Sequence, residues 1–240
     1  MRNKGSKIMS KMNVQDDTKK TSDERKYVFL VLSQTSTFPA KMIRWYTREP
    51  YAHASIALDV ELREMYSFAR KKVNNPWNNG FIKEDIEAGV FGKFKETKCS
   101  IYALEVSDEQ YQRLKEEIQV FKDNQDIYTY NYLGIVGAMI HRPVERETRY
   151  FCSQFVAYIL EKSGIDLFHK NCGLVRPKDF RLCPKLSRIY KGKIRNYRTS
   201  WVPKNWDMLT KEIHTLDFEN FTVKAFDIAD IHINDFVLGD

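Results

Sequence analysis

A chain of 240 residues that is 42% hydrophobic and 13% aromatic has the make-up of a globular protein with one main core, and no period marks it as a repeat architecture. No apolar run approaches the length that crosses a membrane. The net charge of +7 is unevenly placed, with ten Lys/Arg against Asp179 alone between Arg176 and Lys204, and eight acidic residues against Lys211 and Lys224 from Asn205 to Asp240. No recognisable stacking motif interleaves the basic stretch, so mutual compensation or a solvated face is favoured over nucleic acid or an anionic membrane surface.

Residues 1–24 are polar and Lys-rich and read as a disordered basic tail. Met1 to Lys20 has no apolar centre or small-residue cleavage site, so it is not a secretory signal and the expected location is cytoplasmic. Residues 25–200 form the expected domain, and 201–240 an acidic extension with a weak strand tendency. In the domain, Lys26–Ser33 is a continuous apolar run that suits a doubly covered central strand. A turn containing Pro39 and a short helix through Met42, Ile43 and Tyr46 follow, ending near Glu49-Pro50.

Tyr51–Asp59 predicts a strand with His53, Ser55 and Ala57 on one face and Ala54, Ile56 and Leu58 on the other. Glu64–Ala69 returns as the second arm of a hairpin, with Met65, Ser67 and Ala69 sharing a face. Residues 71–97, rich in Asn, Gly and Lys, read as loop, most clearly from Asn74 to Gly80. Lys98–Val106 is the next strand. Ser107 and Gln110 have capping-box spacing ahead of an apolar stripe of Tyr111, Leu114, Ile118 and Phe121, the strongest helix signal in the chain. Tyr128–Ile140 is helical in its second half, and His141–Glu147 is a charged loop. Arg188–Tyr197 reads as one or two basic edge strands with a Gly kink.

The stretch Arg149–Gly164 predicts a helix whose first turn carries Cys152, with Phe155, Val156, Ile159 and Leu160 at helical spacing and Gly164 as its stop. Free N–H groups and the positive end of the dipole favour a thiolate there. Cys152 is therefore the candidate nucleophile, pointing outward. His53 is the candidate base, and Ser67 the group that orients it, because its strand parity faces His53. The Tyr128 or Tyr130 hydroxyl could join the backbone N–H of Cys152 in holding an oxyanion. The bland alternative is that Cys152, between Phe151 and Phe155, fills the core. His141, His169, His214 and His232 read as surface residues. Cys99, Cys172 and Cys183 read as structural thiols, because a chain of this length without an export signal has no need of disulfides. Close Cys-x-x-Cys spacing is missing and His169 with Cys172 is the only near His/Cys pair, so neither metal nor cofactor is expected.

Tyr51-Ala-His-Ala-Ser-Ile-Ala-Leu-Asp59 and Tyr150-Phe-Cys-Ser-Gln-Phe-Val156 resemble the signature of the permuted papain-like cysteine hydrolases, the YiiX-like amidase branch of the NlpC superfamily. In ordinary NlpC-type enzymes the Cys-Ser helix precedes the His strand; here His comes first, as in the permuted members. Tyr130-Asn-Tyr-Leu-Gly134 resembles the aromatic-Gly segment that leads into the family's cysteine, and the resemblance covers about Tyr27 to Tyr197. It implies an α+β, permuted papain-like fold: a small antiparallel sheet or partly open barrel with packed helices. It also implies Cys152 as nucleophile and His53 as base.

Where the family usually has His or Glu as the third polar residue, this chain has Ser67. Serine brings no charge to an imidazolium, so Glu64 is the alternative orienting group. The expected function is a thiol-dependent hydrolase, amidase or peptidase, or an acyltransferase, working through an acyl-enzyme on a small peptide, amide or lipid-acyl substrate. The lipid option follows from the related lecithin:retinol acyltransferase group. A cell-wall endopeptidase is not expected without an export signal. The competing hypotheses are a non-catalytic binding module that retains the fold, and a basic-surface binder of nucleic acid or lipid headgroups through residues 176–204.

Overall fold

The first strand, β1 (Lys26–Ser33), is buried on both sides, and the rest of the sheet is built outward from it. The computed structural model describes residues 26–34, 49–72 and 75–198. The basic tail, the helix expected around Met42 and the acidic extension lie outside the described residues.

β1 pairs antiparallel with β2 (His53–Ala57) on one side and β5 (Lys98–Val106) on the other. Beyond β2 come β3 (Met65–Lys72), β4 (Asn75–Glu84), β6 (Thr129–Tyr130) and β7 (Arg149–Tyr150); beyond β5 comes β8 (Ser187–Lys193). The eight strands form one open sheet in the order β7-β6-β4-β3-β2-β1-β5-β8, antiparallel except for the β6/β7 pair. The molecule is thus α+β as expected, but the sheet is neither small nor wholly antiparallel.

The largest difference from expectation lies at 71–97. Instead of a loop, this stretch supplies the ten-residue strand β4 and the short helix α1 (Gly89–Lys93). Its Asn- and Gly-rich first half has little strand propensity of its own. Pairing along β3 and the stacking of Phe81 on Tyr66, with ring centroids 5.8 Å apart, override it.

Helix α2 (Asp108–Asp123) starts at the expected capping box: Gln110 N–H donates to Ser107 Oγ at 3.1 Å and Ser107 N–H to Gln110 Oε1 at 3.0 Å. The Gln110 amide also donates to the Gly164 carbonyl at 3.0 Å. That glycine ends α4 (Cys152–Lys162) with a φ of 79°, a left-handed stop that glycine adopts freely. Leu114, Ile118 and Phe121 of α2 and Phe155, Val156, Ile159 and Leu160 of α4 cover one face of the sheet. Phe68, Phe121, Tyr150 and Phe155 form the centre of that layer, with Phe121 and Phe155 5.0 Å apart at the centroids. The other face is closed by Phe29, Val31, Met65, Phe91, Ile101 and Ile194.

Part of the basic stretch is compensated within the domain. Lys178 and Arg181 pair with Glu49, Lys193 with Glu96, and Arg188 lies on the outer strand β8. No helix among the described residues is long and apolar enough to cross a membrane.

Phe121 carries the contact between α2, α4 and the sheet, so Phe121→Ala should lower unfolding free energy by about 3–5 kcal/mol in urea titration. A loss below about 1 kcal/mol would mean that α2 contributes little to the core.

Candidate active site

Helix α4 begins where the chain leaves β7. The Phe151 N–H, one of the donors that a helix start leaves without an intrahelical partner, donates to Gln154 Oε1 at 3.4 Å. Gln154 Oε1 also accepts from Asn131 Nδ2 at 3.4 Å. Asn131 in turn caps α3 (Tyr132–Met139), accepting the Gly134 N–H at 2.9 Å, and donates to the Val144 carbonyl at 2.8 Å. A Cβ on Gly134 would lie 2.4 Å from Asn131 Nδ2, so the glycine of the Tyr130–Gly134 segment is required by this close approach. One buried asparagine therefore fixes the start of both helices, α3 and α4.

Cys152 is not outward-facing as expected. It is 4% exposed and sits on the floor of a cleft of about 310 Å³. The ladder between β2 and β3 registers only Ile56↔Tyr66 and Ala57↔Met65. Nearer its start, β2 turns backbone groups to the thiol instead: Cys152 Sγ is 3.9 Å from the Ala52 carbonyl, and the Ala54 N–H faces the sulfur. The start of α4 thus meets β2 where it is not laddered to β3, which brings Cys152 and His53 together.

His53 Nε2 is 2.9 Å from Glu84 Oε1 and 3.2 Å from Ser55 Oγ, and the imidazole is within hydrogen-bonding reach of Cys152. With Nε2 engaged by the carboxylate, Nδ1 is the nitrogen left for the thiol. Ser55 Oγ donates to the second oxygen of Glu84. His53 and Glu84 are 6% and 7% exposed, so the ion pair is sealed from bulk water.

Burial opposes every charge in this set, and partners outweigh it. The Glu84 carboxylate and Cys152 raise His53 to about 10 against its burial. His53, Ser55 and Ser67 hold Glu84 below the usual carboxylate range, again against burial. Burial would raise the Cys152 thiol, but hydrogen bonding and charge from His53, with the Ala54 and Ser153 N–H groups, bring it below the ordinary thiol value. All three shifts run in the direction of a thiolate–imidazolium pair anchored by a carboxylate.

Ser67 shares the face of His53 as expected, but its buried Oγ makes no regular hydrogen bond, and the group that it helps to hold charged is Glu84. The bond to His53 is made by Glu84, which β4 places opposite Met65, one step along the same face from Ser67. Glu64, the other orienting candidate, bonds Tyr66 and Lys83 and does not reach His53. Of the two tyrosines, Tyr130 lines the cleft, and burial together with the charge on Cys152 keeps its hydroxyl protonated. Tyr128 does not face the cleft: its ring packs 4.3 Å from that of Phe121 in the aromatic layer. His141 and His169 are exposed loop residues, whereas His214 and His232 lie outside the described residues.

No family model matches the chain, and neither does any curated protein or any solved structure. The site's chemistry is therefore carried by its own geometry.

Among the described residues, the other three cysteines are also free but unsuited to ionise. Burial pushes Cys99 up to about 12, and burial with the neighbouring Glu161 does the same to Cys172. Burial also raises Cys183. Alkylation by iodoacetamide near neutral pH should therefore modify Cys152 first, with a rate midpoint below the ordinary thiol value of about 8.5. His53→Ala leaves only the Ala54 and Ser153 N–H groups to oppose burial and should move that midpoint upward. A wild-type midpoint at or above about 8.5 would contradict the ion-pair assignment.

Proposed function

We propose that this protein is a thiol-dependent hydrolase or acyltransferase of the permuted papain-like type, acting at an amide, peptide or ester carbonyl. The observation that carries this reading is the hold on His53: its Nε2 is bonded to buried Glu84 at 2.9 Å while the imidazole is within hydrogen-bonding reach of a cysteine in the first turn of a helix. A structural thiol needs no such arrangement. The order of the His strand before the Cys helix supports the permuted fold.

In the proposed reaction the Cys152 thiolate attacks the carbonyl carbon, and the Cys152 N–H with the Tyr130 hydroxyl receives the developing oxyanion. The imidazolium of His53 gives its Nδ1 proton to the departing nitrogen or oxygen as the tetrahedral species collapses to a thioester. Neutral His53 then takes a proton from water, or from an acceptor alcohol or amine, which attacks the thioester and releases the thiolate. Glu84 keeps the ring in one tautomer and orientation and stabilises its cationic form; it does not itself carry the transferred proton.

Glu84→Gln retains the shape of the carboxylate while removing its charge. Acylation by p-nitrophenyl acetate should slow by roughly tenfold or more, and the alkaline limb of the pH–rate profile, set by His53, should move to lower pH. Ser67→Ala should leave the rate nearly unchanged. The opposite ranking of the two variants would return the orienting role to Ser67.

A further inference from the structure

The cleft has two unlike walls. One is apolar, with Ile135, Ala138 and Met139 of α3; the other is charged, with Arg176 and Lys178 at the start of α5 (Pro177–Arg181) beside Glu49. The basic wall is fastened to the nucleophile's own helix. Ser153, the residue after Cys152, donates its hydroxyl to the Val175 carbonyl at 2.7 Å, which places Arg176 next to the thiol's cleft.

Among the described residues, charges on this wall do not balance. Four cations, Lys170, Arg176, Lys178 and Arg181, surround two carboxylates, Asp179 and Glu49. Glu49 is claimed by Arg181 at 2.8 Å and Lys178 at 3.2 Å. Asp179 is claimed by Lys170 at 2.8 Å and by the Arg176 backbone N–H at 2.7 Å. The Arg176 guanidinium itself is left with a 3.9 Å contact from Nε to Asp179, too long for a hydrogen bond. Among the described residues, its forked donors thus have no anion that fits them on the cleft wall.

We propose that Arg176, assisted by Lys178, is a specificity residue that selects acyl substrates carrying a carboxylate within a few bonds of the carbonyl attacked by Cys152. The apolar part of the acyl group lies along Ile135 and Met139. This inference rests on the thiol chemistry proposed above and adds the class of substrate to it.

The test compares two reagents from which the Cys152 thiolate displaces iodide in the same way, iodoacetate and iodoacetamide, on the full chain at low salt. Iodoacetate carries the carboxylate and iodoacetamide does not. The ratio of the two rates should fall about three- to tenfold in Arg176→Ala, as expected for one charge at several ångströms in a partly wet cleft. Arg176→Lys should keep most of the ratio and Arg176→Glu should depress it further. In the wild type the ratio should decrease as salt is raised, a measurement that needs no variant.

A ratio equal in the wild type and Arg176→Ala, with rapid iodoacetamide labelling of Cys152 in both, overturns the inference and leaves the thiol chemistry standing. Failure of Cys152 to react with either reagent overturns both.

Discussion

A carboxylate taken out of water stays charged only if partners inside the protein replace its hydration. Glu84 is in that position, and the site can be read as the answer to its burial. His53 and Ser55 occupy its two oxygens. The imidazole, whose cationic form that carboxylate favours, lies within hydrogen-bonding reach of Cys152 and lowers its thiol below the ordinary value even though the sulfur is buried. The three charges depend on one another. Deleting one member of such a buried set typically costs about 3–5 kcal/mol, because another charge is left unpaired.

The fold makes room for this set by not completing its sheet ladder. β2 is fully paired with β1 but only briefly with β3, and the start of α4 meets the part of β2 that is left over. What fixes α4 there is the aromatic layer beneath it. Phe155 contacts Phe68 of β3, Phe81 of β4 and Phe121 of α2, so the Cys152 helix is located by three different elements. Aromatic pairs of this kind add about 0.5–1.5 kcal/mol each beyond the area they bury. At the other side of the cleft, Asn131 fixes the helix starts through hydrogen bonds instead of packing.

Features governed by local rules were legible in the sequence. The apolar run of β1, the Ser107–Gln110 capping box and the spacing of Phe155, Val156, Ile159 and Leu160 each declare an element by neighbouring residues alone. Strand parity also placed Ser67 on the face of His53. The third member was missed because Glu84 belongs to a segment whose Asn- and Gly-rich beginning reads as loop. Its strand character comes from β3 and from the Phe81–Tyr66 stack, both of them non-local. A signal was present in Phe81-Ile82-Lys83-Glu84, a short strand-like end, but its register against β3 depends on the folded pairing. Tyr128 and Tyr130 were indistinguishable by type; only the pull of the aromatic layer on Tyr128 separates them. Cys152 was expected outward because a helix start is usually solvent-facing, whereas the flanking Phe151 and the β2 backbone enclose it.

The hydrogen bond from Ser153 to Val175 has a consequence for how this region could change. Because it anchors the far end of the connection after α4, the exposed positions 166 and 169–171, on either side of the packed Leu167 and Phe168, do not have to be stiff for the cleft to keep its shape. Such a connection tolerates insertions, since closing a longer loop adds little entropy cost. Lys170 is the exception. It occupies Asp179 at 2.8 Å, and without it that carboxylate would be available to the Arg176 guanidinium beside it. A length change that displaced Lys170 would therefore neutralise the cleft wall from behind, leaving every residue that lines the cleft in place.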